Sequence, residues 1–173
     1  MTRKVGDLRS ASGGLVWRAM AIGDLAMVDA IAARVHPDFP EDAAVFAERL
    51  LLYPDGCHVL AAAADSVGYL ISHPWCGRPP SLNSLIRRIP PEANTYYVHD
   101  LALLPSARGS GAAATIVEQL VEQARRLQLA SVSLVAVNGS VPFWEKQGFV
   151  VVAQDHDATG YGEDARRMVR HLA

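Results

Sequence analysis

The chain has little of what marks several functional classes. Its two cysteines, Cys57 and Cys76, stand in separate segments without metal-ligand spacing. Neither a disulfide framework nor a cysteine metal centre is expected, and a reduced, cytoplasmic setting fits best. No basic face with interleaved aromatics is visible, and the net charge is −2 over 173 residues. Nucleic acid is therefore not an expected partner. The longest apolar run, 59–64, is far too short to cross a bilayer, so no membrane segment is expected. The opening MTRKVGDLRSASGGL has basic residues but no apolar core, unlike a secretory signal. His36 and His73 lack ligand-spaced partners, so no metal site is expected. There is no internal repeat and no linker composition.

What is present reads as one globular domain. Half of the residues are hydrophobic and 20% are charged, which suits a chain that buries a core. Residues 1–14 read as a loose extension and 15–173 as the domain. A strand is expected at 15–21, then helices from Leu25 to Val35 and over 41–52. Strands at 57–63 and 67–72 flank a hairpin turn at Asp65-Ser66. Residues 75–94 carry four prolines and form a long connection, with a short helix expected at 81–88. A strand at 96–104 precedes a helix at 109–128, whose apolar stripe is Ala112, Ile116, Val117, Leu120, Val121, Ala124 and Leu127. The near-continuously apolar strand 131–137 suits a sheet covered on both faces. A short helix at 140–147 and strands at 149–153 and 166–171 complete the pattern, with a polar, glycine-containing connection at 155–164.

The informative stretch is YYVHDLALLPSARGSGAAATIVEQLVEQARRLQLASVSLVAVNGSVPFWEKQGF, 96–149. A strand feeds a glycine turn that opens a helix. Unpartnered N–H groups and the positive end of the helix dipole make such a turn an anion site, and pyrophosphate is its natural cargo. Gly109-Ser110-Gly111-Ala112-Ala113-Ala114 also fits the dinucleotide fingerprint G-x-G-x-x-A. The context is against that reading. Pro105-Ser106-Ala107-Arg108 separates the strand from the first glycine, and the next strand ends in Asn138 rather than an acid. Only about 65 residues follow Gly109, too few for paired mononucleotide halves.

From Arg108 the turn reads Arg-x-x-Gly-x-Ala. With Leu101-Ala102-Leu103-Leu104-Pro105 before it and Asn138, a short helix and Gly148-Phe149 after it, the sequence resembles the GNAT superfamily of N-acetyltransferases. The resemblance spans roughly 15–172. It implies an α/β (α+β) fold: a mixed, mostly antiparallel sheet of six to seven strands, splayed at its centre and flanked by about four helices. It implies acetyl-CoA as co-substrate, a small-molecule or protein amine as acceptor, and direct transfer in a ternary complex. A homodimer is an expectation of the family only.

Carried onto this chain, the resemblance implies that Arg108, Gly109, Ser110, Gly111, Ala112 and Ala113 hold the pyrophosphate. The strand would pair with the pantetheine arm, a backbone N–H of Leu101 or Leu103 would polarise the acetyl carbonyl, and Asn138 would touch the cofactor. Asn138 also suits a plain turn. Related enzymes take a base from positions matching Tyr97 or His99. Imidazole titrates near neutrality, which favours His99, with Asp100 orienting it or facing away. Strand alternation puts Tyr97, His99 and Leu101 on one face, with Val98, Asp100 and Ala102 on the other. The resemblance departs at Trp144, where many members carry a tyrosine acid; an indole is a donor but no useful acid. Trp144 would instead pack on the cofactor arm, and Tyr161 is a candidate acid. This departure leaves an alternative, a catalytically inactive CoA-binding sensor or partner module.

Overall fold

The computed structural model describes residues 14–152 and 160–173. The proposed extension up to residue 13, Ala153 and the connection 155–159 lie outside the described residues. In chain order the elements are β1 (Val16–Ala19), α1 (Leu25–Val35), α2 (Ala43–Leu52), β2 (Cys57–Ala62), β3 (Asp65–Trp75), β4 (Thr95–Leu103), α3 (Ala112–Arg126), β5 (Ser131–Ala136), α4 (Val141–Lys146), β6 (Val150–Val151) and β7 (Arg166–His171). The sheet runs β1-β2-β3-β4-β5-β7-β6. Every pair is antiparallel except β4 with β5. This is the mixed, mostly antiparallel sheet with four α-helices that the resemblance implied.

Each face of the sheet is covered because each covering helix has an apolar stripe. On α3 the buried Ile116, Val117, Leu120, Val121 and Ala124 recur at helical spacing. They pack with Tyr96 and Val98 of β4, Val132 and Leu134 of β5, and Trp144 of α4. On the opposite face Val28 and Ile31 of α1 and Phe46 and Leu50 of α2 pack with Tyr69, Ile71 and Ala102. The first half of β4 is buried throughout, Thr95 to Val98, as a central strand covered on both sides should be. Among the described residues no helix is long and apolar enough to cross a membrane.

Three local expectations are corrected. The hairpin between β2 and β3 turns at Ala63-Ala64, not Asp65-Ser66, with Ala63 left-handed at φ 53°. The helix expected at 81–88 does not form. Its backbone groups are claimed from outside: the Glu48 carboxylate accepts from Ile86 N (2.8 Å) and Arg87 N (3.0 Å), and Arg49 Nη2 donates to the Ser84 carbonyl (3.1 Å). These bonds replace the intrahelical ones. Finally, α3 starts at Ala112 rather than 109, because Gly109 and Gly111 sit at φ 75° and 84°, outside the helical region.

Gly56 stands where the chain enters β2 and admits no side chain. A Cβ there would lie 1.9 Å from the Ser72 carbonyl oxygen on the neighbouring strand. Gly56→Ala is expected to cost about 3 kcal/mol or to prevent folding, because backbone must move to relieve the overlap. Urea denaturation checks this.

Candidate functional site

Strands β4 and β5 pair only from Thr95–Val98 against Ser131–Leu134. Beyond that both continue, β4 to Leu103 and β5 to Ala136, without pairing to each other. The Leu104 N–H donates to the Val67 carbonyl of β3 (2.8 Å). Hydrogen-bonding direction alternates along a strand, so Ala102 and Asp100 share that side. Leu101 and Leu103 then direct their backbone groups into the gap. The Leu103 carbonyl is met there by Arg108 Nε at 3.2 Å. The gap is a cavity of about 750 Å³, large enough for an extended ligand.

One end of the cavity is the glycine turn. Arg108, Gly109, Ser110, Gly111, Ala112 and Ala113 all line it. A Cβ on Gly109 or Gly111 would meet nothing within 4 Å. The left-handed backbone therefore requires glycine here, not crowding within the protein. The Ser110 hydroxyl donates to the Ala107 carbonyl (2.6 Å) and accepts from Ala112 N (3.3 Å), which fixes the turn. The Trp17 indole of β1 donates to the Ala112 carbonyl (2.9 Å) and ties the helix start to the far edge of the sheet. The first-turn N–H groups have no intrahelical acceptor and meet the cavity at the positive end of the helix dipole.

The other end is polar and acidic, and a β-bulge builds it. In the β3–β4 register Ile71 faces Asp100 and Ser72 faces Val98, so His99 is the extra residue. The expected alternation fails here. His99 and Asp100 both turn toward α1 and α2, while Val98 and Leu101 join the α3 side. His99 Nε2 lies 2.8 Å from Glu41 Oε1, and Asp100 Oδ1 lies 2.9 Å from His36 Nε2. The Tyr69 hydroxyl donates to Asp100. The second Glu41 oxygen accepts from Asn83 N (3.0 Å), so loop 76–94 helps to hold it. Asn138, at φ 54° beyond β5, reaches across with Nδ2 2.9 Å from His36 Nδ1.

Burial raises the Asp100 carboxyl, but His36 and Tyr69 outweigh it and hold the group below its ordinary value. Burial lowers His36, but Asp100, with help from Glu41, outweighs it and raises the imidazole. Burial pushes the Tyr97 and Tyr161 phenols upward, so both stay neutral donors at ordinary pH. His73, its ring tilted against that of Tyr97 at 5.7 Å, is lowered by burial to about 3 and is neutral. His99 Nδ1 is buried and has no hydrogen-bond partner among the described residues.

The structure thus brings His99, Asp100 and Tyr161 together on the cavity wall, with Tyr97 directly behind, its ring 6.4 Å from that of His99. Leu101, Leu103, Asn138 and Trp144 also line the cavity. Glu41 and His36 carried no motif in the sequence that pointed to this cluster. They stand 58 and 64 positions before their partners, and no motif links those positions. Among the described residues, no group of three or more His, Cys, Asp or Glu side chains is placed to hold a metal ion.

The Asp100–His36 pair sets a pH window. The carboxyl is lowered from 3.8, so its contribution is complete above about pH 4 and fades as pH falls through the folded value. The imidazole is raised from 6.5, so its contribution is complete below about pH 6.5 and fades as pH rises through the folded value. The stability gap between the native protein and Asp100→Asn is expected to be widest between about pH 4 and 6.5. Thermal unfolding across pH checks this.

Comparisons with known proteins bear on this geometry. The family model described as the acetyltransferase (GNAT) family matches residues 21–149. No curated protein sequence matches significantly. Solved structures share the fold at low identity. Ard1 from Thermoplasma volcanium is 17% identical with a TM-score of 0.69, covering 92% of this chain and 98% of that one. Naa50 from Arabidopsis thaliana, solved with the bisubstrate analogue CoA-Ac-MVNAL, is 11% identical with a TM-score of 0.69, covering 91% and 99%. The GphF GNAT-like decarboxylase, in complex with isobutyryl-CoA, is 17% identical with a TM-score of 0.73, covering 91% and 100%.

Proposed function

Because the chain belongs to the acetyltransferase (GNAT) family, we propose that it moves an acetyl group from acetyl-CoA to a primary amine by direct attack in a ternary complex. One observation carries the reading. A single cleft has a glycine turn at a helix N-terminus at one end, an unpaired strand edge along its middle and a carboxylate–imidazole cluster at the other end. Those are the parts needed to seat a pyrophosphate, an extended amide-bearing arm and a reacting amine. The open space before Gly109 and Gly111 fits a phosphate approach, and the cavity volume fits the arm.

The chain's own groups then divide the work. The N–H groups around Gly109–Ala113 neutralise the phosphates. The backbone of Leu101 and Leu103 pairs with the arm, and one of these N–H groups stabilises the oxyanion that forms on the acetyl carbonyl. The nitrogen lone pair forms the new C–N bond, the C–S bond breaks, and its electron pair leaves on sulfur. His99 accepts the proton that the nitrogen loses. Glu41 fixes the His99 ring through Nε2, which leaves Nδ1 for that proton; because Nδ1 is buried, the proton reaches it through one water. Tyr161, which lines the cavity, is the proton donor for the thiolate, since Trp144 has no proton to give usefully.

Neither cysteine lines the cavity, and burial raises the Cys57 thiol to about 12, which supports transfer without an acyl-enzyme. Trp144 in place of a tyrosine favours the second reading, a CoA-binding module without turnover.

Calorimetric titration with acetyl-CoA beside NAD tests the cofactor, and CoA release with an amine panel separates the two readings. Gly111→Glu is expected to abolish acetyl-CoA binding, because its charge faces the pyrophosphate; unchanged affinity would refute this placement. His99→Ala is expected to lower turnover by about 10²–10⁴-fold with acetyl-CoA affinity unchanged. A pH–rate profile identical to that of the native protein would remove His99 as the base.

A further inference from the structure

Three connections cover the acceptor end of the cavity, and its net charge is never positive: two carboxylates each face one imidazole. Phe39, between α1 and α2, lies with its ring centroid 6.0 Å from that of Tyr161 in the connection before β7. Leu82, from loop 76–94, sits against Gly160: a Cβ on that glycine would be 3.4 Å from the Leu82 Cβ. Three separate connections therefore meet over this end, and Phe39, Leu82 and Tyr161 all line the cavity. Below them lie the side chains of Glu41 and Asp100, only 6% and 13% exposed.

Each carboxylate has one imidazole beside it. The floor carries two negative charges when both rings are neutral, and reaches zero only when both are protonated. The one arginine or lysine among the described lining residues is Arg108, at the turn end and engaged by the Leu103 carbonyl. Arg49 is buried behind the wall, with Nη1 on Glu48 and Nη2 on the Ser84 carbonyl. A ligand here therefore meets carboxylates, aromatic faces and aliphatic groups. An ammonium is attracted to both carboxylate and ring faces. A carboxylate next to the nitrogen would be desolvated against Glu41 and Asp100, with no arginine or lysine among the described residues at this end to receive it and His36 already committed to Asp100.

We infer that the acceptor, on the amine-acetylation reading above, is a small amine whose positive charge sits on an apolar, preferably aromatic, body, with no carboxylate beside the nitrogen. The roof excludes a bulky protein loop, and the floor rejects amino acids.

A matched series tests this: 2-phenylethylamine, L-phenylalaninamide, L-phenylalanine and a hexapeptide with N-terminal phenylalanine, each with acetyl-CoA and followed by CoA release. The expected kcat/KM for 2-phenylethylamine exceeds that for L-phenylalanine by at least about 100-fold, with the amide between them and the peptide below the amide. Equal use of L-phenylalanine overturns the charge argument, and preference for the peptide overturns the roof. Acetyl-CoA binding with no release from any amine removes the transfer reading and this inference with it. A failure of that reading is thus distinct from wrong selectivity. Glu41→Gln is expected to shrink the gap between 2-phenylethylamine and L-phenylalanine to less than about 10-fold. Its unchanged acetyl-CoA Kd would show that the variant is folded, and an undiminished gap in that variant would also overturn the inference.

Discussion

The short parallel ladder between β4 and β5 is the constraint on which the site depends. Four residues of each strand pair, and then the strands part while both remain extended. A buried backbone group without a partner costs about 1–3 kcal/mol, so an unpaired central edge is tolerable only if something else meets it. The cleft is where those groups are left for water or a ligand. The covering helices make the opening possible. With α3 packed on one face and α1 and α2 on the other, the paired halves of β4 and β5 form a hinge buried on both sides. The unpaired halves need not collapse onto each other.

The second structural decision is the bulge at His99. One extra residue in β4 puts His99 and Asp100 on the same side and aims both at side chains from the α1–α2 region. Without it, one of the two would point into the apolar core against α3, where an ionisable group has no partner. The resulting pairs are buried yet compensated. Asp100 is opposed by His36 and Tyr69, and Glu41 is shared between His99 and the backbone of Asn83. Loop 76–94 belongs to this arrangement. Its backbone is tied down by Glu41, Glu48 and Arg49, so a segment without regular structure becomes a fixed wall.

Much of the architecture was legible because it rests on local signals. The stripe on α3 read correctly from Ile116 to Ala124 because amphipathic spacing survives in any tertiary context; Leu127, expected to continue it, lies past the helix end and is exposed. Seven strands were placed because apolar runs and turn residues bracket them. The turn at Gly109–Ala113 was legible because its residue types are dictated by backbone conformation: Gly109 and Gly111 adopt φ values that other residues resist. Errors arose where a local signal lost to a distant partner. The 81–88 segment has no helix because side chains of α2 claim its backbone, and the alternation of β4 broke at a bulge that no residue type announces.

The sequence by itself determined most of the elements, their order and the glycine turn that opens α3, since periodicity, apolar content and glycine conformation act over a few neighbouring residues. Tertiary structure alone decided which polar groups meet. Glu41 reaches His99, His36 reaches Asp100, Asn138 reaches His36 and Trp17 reaches Ala112 across 58 to 102 residues of chain. Such pairings depend on sheet order, on the divergence of two strands and on one extra residue in β4. A hydrogen bond selects its partner by position in space, and sequence separation carries no record of it.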